Sequence, residues 1–413
     1  MFVRKIRSLR DVVDWRLCVG CGACAYVCDK NLITLEDVEN AGIRPRIAPE
    51  GCGDCDDCLD ICPGVVVHGR GDGENRVDQS DMIGPAVAVW EGSAANREIQ
   101  HAASSGGCLT ALALYCLEKE GMGSVIHTGM NPETPWTNRT VQSGSREEIL
   151  SNSGSRYAPS SPCEALDLIE KSDRPCVFIG KPCDVAAVSA LRRSRPALDR
   201  NLGLVLTFFC AGAPSTFGTL ELLKELGVPR EGIDDIRYRG RGWPGNFRAR
   251  FNARSEERSV TYMEAWSRLQ AYRPFRCHLC PDGLGETADI SCGDAWHRYP
   301  LEGHDGLSLI LARSGRGADL IEKAREAGYV TFEESSPADV IKAQGILERR
   351  RELHGRQQAM RMLLVPAPRF ENFPLAGLWK GLPLKKKFKT IAGTLRRLIM
   401  RGQWRRNVDS AGH

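Results

Sequence analysis

Short apolar runs alternate with helical segments between residues 80 and 365. One amphipathic run, Leu109–Glu120, has helical periodicity. Three runs have the length and apolar content of buried strands: Ser124–His127, Cys176–Ile179 and Gly203–Cys210. This alternation predicts an α/β domain with a central sheet. Phe247–Phe251 and Ser259–Tyr262 have the pattern of antiparallel strands, so we expect the sheet to be mixed.

Two cysteine arrays precede this region. The first array is Cys18, Cys21, Cys24 and Cys28, and the second is Cys52, Cys55, Cys58 and Cys62, followed by proline. Both have bacterial ferredoxin spacing, in which three close thiolates bind one 4Fe-4S cluster and the fourth binds the other cluster. We therefore assign one cluster to Cys18, Cys21, Cys24 and Cys62, and the other to Cys52, Cys55, Cys58 and Cys28.

The composition favours clusters over disulfides. The chain has 413 residues and 17 cysteines, an odd number, and its N-terminus lacks the apolar segment of a secretory signal. A cytoplasmic protein keeps its thiols reduced, which leaves metal binding or catalysis to explain them. Structural zinc is the alternative, because Cys-x-x-Cys pairs also bind zinc, although the repeated triple spacing is atypical for it. The net charge of +4 does not indicate nucleic-acid binding.

The chain is predicted to have three parts. Residues 1–75 form an α+β ferredoxin-like domain that carries two 4Fe-4S clusters. Residues 80–365 form the α/β domain with the mixed central sheet, and residues 366–413 form a basic amphipathic tail. The segment Arg70–Asp78 is rich in glycine and charge, which is typical of a linker.

Two turns in the central domain carry candidate ligand-binding residues. Ser104, Ser105, Gly106 and Gly107 directly precede an apolar helix, where free amides and the helix dipole suit a phosphate. Simple N-capping by serine is the alternative. Lys181 and Cys183 follow a predicted strand, at the end of the strand where ligands bind in open α/β sheets.

A further Cys-x-x-Cys pair, Cys277 and Cys280, supplies half of a metal site. Cys183 and Cys210, both at predicted strand ends, are the natural candidates for the other half. A redox dithiol or plain buried cysteines are the alternatives. Five other cysteines are expected to be mostly packing residues: Cys108, Cys116, Cys163, Cys176 and Cys292.

Together, these motifs resemble the coenzyme F420 hydrogenase/dehydrogenase beta subunit family from about Pro85 to Arg298. The motifs that carry the resemblance are Ser104-Ser105-Gly106-Gly107, Ser155-Arg156-Tyr157, Gly180-Lys181-Pro182-Cys183, Phe209-Cys210-Ala211-Gly212, Tyr238-Arg239-Gly240, Gly242-Trp243-Pro244-Gly245 and the block from Cys277 to Trp296. The resemblance implies that the α/β domain binds FAD and a further 4Fe-4S cluster.

The resemblance also implies roles for individual residues. Ser104, Ser105, Gly106 and Gly107 would lie near the FAD phosphates. Arg156 and Tyr157 would contact the flavin or the substrate, and Lys181 a phosphate or the flavin ring. Cys183, Cys210, Cys277 and Cys280 would bind the core cluster. The sequence does not rank a proton donor among His101, Lys181, Glu286 and Asp294.

The implied function is an iron–sulfur flavoprotein oxidoreductase. Electrons would pass between an external donor, such as ferredoxin or a hydrogenase or dehydrogenase subunit, and an organic substrate such as a deazaflavin coenzyme. Flavin suits this position because it exchanges electrons singly or in pairs. The alternative is an electron-transfer subunit of a larger complex with no substrate site of its own. The direction of electron flow stays open.

The C-terminal segment differs in character from the rest of the chain. No acidic residue occurs from Lys385 to Arg406, and apolar residues recur there at helical spacing among lysines and arginines. This pattern suits an amphipathic helix on an anionic surface, either a membrane or an acidic partner. A solvated basic tail is the alternative. We expect a cytoplasmic protein. The alternative is a cytoplasmic protein that contacts the inner face of the membrane.

Overall fold

The computed structural model describes residues 4–48, 55–71, 80–300 and 305–407. Its strands are β1 Ile33–Val38, β2 Gly42–Ile47, β3 Val66–His68, β4 Ala88–Ala94, β5 Val125–Met130, β6 Asn138–Ser143, β7 Cys176–Gly180, β8 Leu202–Phe208, β9 Ile233–Arg237, β10 Asn246–Phe251, β11 Glu256–Thr261, β12 Ile290–Asp294, β13 Ser308–Ala312, β14 Val330–Glu334 and β15 Arg369–Glu371. Most of the predicted linker, from residue 72 to residue 78, lies outside the described residues.

Helices cover both faces of the main sheet and form most of the C-terminal part. They are α1 Leu9–Asp14, α2 Ala23–Val27, α3 Asp57–Asp60, α4 Ser80–Ile83, α5 Arg97–Ala102, α6 Cys108–Glu118, α7 Arg146–Ser151, α8 Leu166–Glu170, α9 Pro182–Leu191, α10 Pro196–Asn201, α11 Thr216–Glu225, α12 Tyr262–Leu269, α13 Gly315–Glu326, α14 Pro337–Ala343, α15 Leu347–Met362, α16 Leu375–Lys380 and α17 Leu384–Met400. Within the described residues, no helix has the length and apolar content needed to cross a bilayer.

The main sheet has eight strands in the order β14-β4-β13-β12-β8-β7-β5-β6. The four central strands β12, β8, β7 and β5 are parallel, and the outer strands on both sides are antiparallel. Parallel strands need both faces covered, which explains why β7 and β8 are almost continuously apolar. The carboxyl ends of the parallel strands meet at one edge of the sheet, where ligands bind in open α/β folds.

The mixed character of this sheet was predicted, but the strands that cause it are different. β10 and β11 pair with each other and with β9 in a separate three-stranded antiparallel sheet. The antiparallel strands of the main sheet are β4, β13, β14 and β6. Strand patterning identified β10 and β11 correctly, but pairing partners depend on the rest of the fold and are not encoded in the pattern of one strand.

The ferredoxin-like part packs firmly against the main sheet. Ala23 and Val27 of α2 share one apolar core with Phe178 of β7 and Val185 of α9. The Arg70 guanidinium donates to the backbone oxygens of Glu286 and Ala288 at 3.0 and 2.8 Å. The two predicted domains therefore form one continuous packed body over the described residues.

The C-terminal part also joins both domains. β15 pairs in parallel with β3 of the ferredoxin-like part, and α16 and α17 pack on α15. Arg406 forms ion pairs with Asp11 and Asp14 at 3.0 and 2.7 Å. The segment predicted as a tail is therefore anchored along much of its length.

Phe178 tests whether this shared core stabilises the fold. Its side chain is fully buried in β7, between the sheet and the ferredoxin-like part. We expect Phe178→Ala to lower the free energy of unfolding by about 3–5 kcal/mol, because it leaves a cavity in a packed core. Urea unfolding of the whole chain would measure the difference.

Phe388→Ala is the matched control, because Phe388 is 76% exposed. We expect it to change the free energy of unfolding by less than about 0.5 kcal/mol. Equal losses in the two variants would contradict the shared core.

Candidate functional site

Five cysteines of the two N-terminal arrays lie near one another. Burial raises the pKa of Cys24 well above its usual value, and the neighbouring thiols of Cys21, Cys18, Cys62 and Cys58 raise it further. Cys62 joins the first array because α3 and the turn after it pack beside α2. The group includes the four cysteines that the ferredoxin spacing assigned to one cluster, together with Cys58 of the other.

Cys163 of the main domain contacts this set. Its thiol donates to the carbonyl oxygen of Asp184 at 3.5 Å, and its closeness to Cys21 lowers the pKa of Cys21. Its backbone N–H also donates to the Cys21 carbonyl at 3.0 Å. The sequence predicted Cys163 to be a packing residue, and no local pattern could have paired it with a cysteine 142 positions earlier.

The second set is described in part. Cys58 is buried, Cys28 is half-buried and Cys55 is exposed. Cys52 lies outside the described residues, so the assignment of this set stays a prediction. The exposure of Cys55 places this end of the ferredoxin-like part nearest to solvent.

Cysteines from three separate elements of the main domain line one cavity, which we call the cysteine cavity. Cys183 lies in the first turn of α9, Cys210 is the second residue after β8, and Cys277 and Cys280 belong to the loop after α12. Cys18 of the first array lines the same cavity. The fold thus brings together the two halves of the predicted core site and places the ferredoxin-like part beside them.

Arginines hold the loop that carries Cys277 and Cys280. Arg349 of α15 donates to the carbonyl oxygens of Cys277 and Ala211 at 2.8 and 2.9 Å. Arg356 donates to the carbonyl oxygen of His278 at 2.7 Å. These residues were missed in the sequence, although the basic run at positions 349–351 was a visible signal.

Arg276 links the same loop to the ferredoxin-like part. Its guanidinium donates to the carbonyl oxygen of Leu279 at 2.8 Å and to that of Pro63 at 2.9 Å. Pro63 directly follows Cys62. One buried side chain therefore fixes the Cys277 loop relative to the first cysteine set.

A second cavity, which we call the sheet-edge cavity, lies at the carboxyl ends of the parallel strands. Its lining includes six residues of the predicted flavin site: Ser104, Ser105, Gly107, Arg156, Tyr157 and Lys181. Cys210, Gly212, Lys181 and Ser160 line both this cavity and the cysteine cavity. The two cavities therefore share a wall.

Gly106 allows two parts of the backbone to pack closely. A Cβ at this position would lie 2.6 Å from the carbonyl oxygen of Gly92 and 2.7 Å from the amide of Ser308. Gly106 is thus needed where the loop crosses β4 and β13 closely. It does not line the sheet-edge cavity.

The two serines of this loop hold other loops in place. Ser104 Oγ accepts a hydrogen bond from the Ser155 amide at 2.6 Å. Ser105 Oγ donates to the carbonyl oxygen of Leu307 at 3.1 Å. Gly107, with φ +79°, is the N-cap of α6 and has no side chain to cap it. The first-turn amides of α6 border the sheet-edge cavity without a capping oxygen, an arrangement that suits an anion.

Arg156 and Lys181 are already heavily hydrogen-bonded within the protein. Arg156 donates to Asn138 Oδ1 and to the carbonyl oxygens of Ile236, Pro135 and Thr137 at 2.7–3.0 Å. Lys181 Nζ lies 2.8 Å from Ser160 O, Ser160 Oγ and Asp184 Oδ2. Burial opposes the charge of Lys181, but Asp184 outweighs it and keeps the pKa above its usual value. Lys181 therefore places a fixed positive charge in the shared wall.

A buried ion pair forms another part of the sheet-edge cavity. Arg239 binds both carboxylate oxygens of Asp294 at 2.7 and 2.9 Å. Trp243 Nε1 donates to the same carboxylate at 2.8 Å. The guanidinium lies 4.6 Å from the ring centre of Tyr262 and 5.3 Å from that of Trp296. Beyond this network, Trp243, Tyr262, Arg241, Arg248 and Tyr299 line a third cavity of about 370 Å³.

Two of the proton-donor candidates, His101 and Glu286, pair with other side chains and do not line the sheet-edge cavity. His101 Nδ1 lies 2.7 Å from Asp305 Oδ1, and Glu286 pairs with Arg350 of α15 in the interior. Asp294, like Lys181, does border the sheet-edge cavity. Of the four candidates, Lys181 and Asp294 therefore border this cavity, and the choice of proton donor stays open.

The residues present fit the two kinds of cofactor implied by the sequence. Burial raises the pKa of Cys210 to about 12 and that of Cys183 well above its usual value, so both thiols would release their protons only to a metal. Four thiols around a cavity suit an iron–sulfur cluster. Among the described residues, no three His, Cys, Asp or Glu side chains converge on a point that one metal ion could occupy. The uncapped start of α6 suits a phosphate group.

Two models of one protein family match the main domain. The coenzyme F420 hydrogenase/dehydrogenase beta subunit N-terminal model matches residues 89–167, and the C-terminal model matches residues 173–338. A 4Fe-4S dicluster domain model matches residues 17–65. The matched segments contain both N-terminal arrays and every cysteine that lines the cysteine cavity.

Known proteins are similar over much of the chain. The coenzyme F420-dependent sulfite reductase of Methanocaldococcus jannaschii is 22% identical over 84% of this chain, which spans about half (52%) of that relative. The coenzyme F420 hydrogenase subunit beta of Methanococcus voltae is 26% identical over 57% of this chain and 80% of its own length. A chain of the F420-reducing [NiFe] hydrogenase complex from Methanosarcina barkeri has the same fold, with a TM-score of 0.55, 20% identity, and 72% of this chain and 99% of that chain covered.

His127, in the wall of the sheet-edge cavity, should make the free energy of unfolding depend on pH. It lies in β5 with Nε2 2.8 Å from Ser143 Oγ, and burial lowers its pKa to about 4. The unfolded chain binds this proton near pH 6.5, so the free energy of unfolding falls as the pH drops from about 6.5 towards 4. At pH 5 the loss relative to pH 8 should be on the order of 2 kcal/mol.

His127→Gln should remove this component. Urea unfolding of the wild type and the variant at pH 8 and pH 5 would measure it, because acid-sensitive groups common to both proteins cancel in the difference. A loss between pH 8 and pH 5 that is the same in both proteins would show that His127 does not stay neutral in the folded state.

Proposed function

The chain belongs to the coenzyme F420 hydrogenase/dehydrogenase beta subunit family, and on that premise we propose that it is an iron–sulfur flavoprotein oxidoreductase. In this proposal it moves electrons between an external donor and an organic substrate, using its ferredoxin-like part, a core 4Fe-4S cluster and FAD. The observation that carries it is the continuity of the sites: Cys18 lines the cysteine cavity, and Cys210 lines both that cavity and the sheet-edge cavity.

Cys183, Cys210, Cys277 and Cys280 are the proposed ligands of the core cluster. Arg276, Arg349 and Arg356 position their loop through its backbone carbonyls. Lys181 lies in the wall that the two cavities share, and its ammonium group pairs there with Asp184. A bound cluster supplies transfer of single electrons.

The sheet-edge cavity is the proposed FAD site. The uncapped amides at the start of α6 would hold a phosphate, while Ser104 and Ser105 fix the loop that leads into the helix. Tyr157 borders the same cavity, and its ring lies 5.1 Å from that of Trp266 and 5.8 Å from that of Tyr238. When bound, FAD supplies the exchange between single electrons and electron pairs.

The third cavity favours a reductase with a substrate site over a subunit that only carries electrons. Arg241 and Arg248 supply positive charge there, and Trp243, Tyr262 and Tyr299 supply flat apolar surface. This combination suits a planar, anionic organic molecule such as a deazaflavin coenzyme. Asp294 connects this cavity with the sheet-edge cavity through its bond to Trp243.

Similar proteins suggest the kind of partner. One relative is named as a hydrogenase subunit, and the structural neighbour is a chain of a hydrogenase complex. An external ferredoxin or a hydrogenase or dehydrogenase subunit would therefore be the donor. Cys55 is exposed and Cys28 is half-buried, which supports an approach of such a partner to this end of the ferredoxin-like part.

The iron and flavin content per chain tests the proposal directly. Anaerobically purified protein should contain about twelve irons, for three clusters, and one FAD. Elemental analysis and release of the flavin would measure both. About eight irons with FAD would contradict the core cluster. About eight irons without flavin would contradict the reductase and favour an electron carrier.

Cys277→Ser tests the core ligands specifically. We expect it to lose about four irons per chain, because one of four thiolates is missing, while the signals of the N-terminal clusters persist in electron paramagnetic resonance. Cys176→Ser is the matched control, since Cys176 is buried beside Ser172, away from both cavities. Equal iron content in the two variants would refute the assignment of Cys277.

A further inference from the structure

Helix α17 has three distinct faces. One face packs on α15 and contains the buried residues Thr390, Thr394 and Leu398. A second face is apolar and open to solvent, with Leu384 82% exposed, Phe388 76% and Ile399 54%. These exposed residues lie within about one sixth of the helix circumference, because Phe388 and Ile399 follow Leu384 by four and fifteen residues.

Packing on the protein does not explain the exposed apolar row. The face of α17 that meets α15 contains two threonines, one of which donates from Thr394 Oγ1 to the carbonyl oxygen of Thr390 at 2.7 Å. Leu398 is the large apolar side chain buried on that face, whereas Leu384, Phe388 and Ile399 are exposed. An amphipathic helix that served only the fold would bury its large apolar side chains and expose its threonines.

Basic residues border the apolar row along one side. Lys385, Lys389 and Arg396 are exposed, and within the described residues no carboxylate lies within ion-pair distance of them. Lys386 differs, since it faces α15 and pairs with Glu348 at 2.9 Å. The charge of Lys386, which faces the protein, is thus neutralised. The charges of the three basic residues beside the apolar row are not.

We propose that this face of α17 binds the surface of an anionic lipid bilayer. The apolar row is about 22 Å long from Leu384 to Ile399 at 1.5 Å per residue, which suits a helix lying in the plane of the interface. With the row inserted, Lys385, Lys389 and Arg396 would reach the headgroups with their charges. An acidic protein would satisfy the charges, but it would leave the row of Leu384, Phe388 and Ile399 in contact with a polar surface.

This inference does not depend on the proposed redox chemistry. α17 rests on α15, and Arg349 and Arg356 of α15 hold the Cys277 loop. Docking through α17 would therefore hold the redox domain at the membrane surface.

Vesicle co-sedimentation of the full-length protein tests the proposal. Vesicles of phosphatidylglycerol and phosphatidylethanolamine should bind it, vesicles of pure phosphatidylcholine should bind it much less, and 0.5 M salt should weaken the binding. Point substitutions are preferable to removal of the helix, because α17 and the residues after it pack on both domains.

Two variants separate the apolar from the electrostatic contribution. Phe388→Ser should lower the partition coefficient by about tenfold or more, through loss of a buried aromatic side chain. Lys385→Gln with Lys389→Gln should lower it by roughly 10- to 30-fold on anionic vesicles. Met263→Ser is the control for the apolar variant, because Met263 is 54% exposed and lies outside α17. Lys119→Gln with Arg193→Gln is the control for the charge variant, because both residues are exposed outside α17. Both controls should bind vesicles as the wild type does.

Three results would overturn the proposal. The first is no binding to anionic vesicles by the wild-type protein. The second is binding that persists unchanged in both α17 variants while their iron content matches the wild type. The third is a wild-type dimer that Phe388→Ser converts to a monomer without any lipid effect, which would assign the apolar row to a second copy of the chain.

Discussion

Strands β7, β8 and β12 run parallel and end at one edge of the sheet, so the residues that follow them are forced into a small space. Cys183 and Lys181 follow β7, and Cys210 follows β8. Both cysteines are half-buried, and desolvation raises the pKa of each thiol, which makes a bare thiolate unfavourable there. The sheet edge therefore gathers thiols that are the proposed ligands of iron, since a bound metal would replace their protons.

The rest of the molecule keeps these ligands in place. The Cys277 loop has little regular structure of its own, apart from a short 3-10 turn at Phe275–Leu279. Guanidinium groups compensate by donating to its backbone carbonyls, from Arg276 within the loop and from Arg349 and Arg356 on α15. Buried carbonyls need such donors, and arginine supplies several in a fixed geometry. α15 lies beyond the segments matched by the family models, so this support is built from a part of the chain that the models do not cover.

The ferredoxin-like part is fixed to the same structure rather than tethered beside it. The shared apolar core, the Arg276 bond to Pro63 and the backbone bond of Cys163 to Cys21 all cross the boundary. A rigid boundary is what electron transfer between neighbouring sites requires, because the distance between them must stay constant. α17 continues this pattern on one face, and it leaves its apolar and basic faces free for a surface outside the chain.

The sequence by itself determined the local chemistry of this protein. The cysteine spacing identified a ferredoxin-type region, which the dicluster model matches, and the ordered motifs identified the family, which the family models confirm. Such signals are local, because ligand spacing and turn residues act over a few positions. The tertiary structure alone decided what depends on distant contacts. β10 and β11 form a sheet of their own with β9, and the backbone amide of Cys163 donates to Cys21. Gly106 allows close packing, and the side chains of Lys181 and Arg156 donate their hydrogen bonds to other groups of the protein. Each of these rests on contacts between residues far apart in the chain, and no periodicity or spacing of a single segment encodes them.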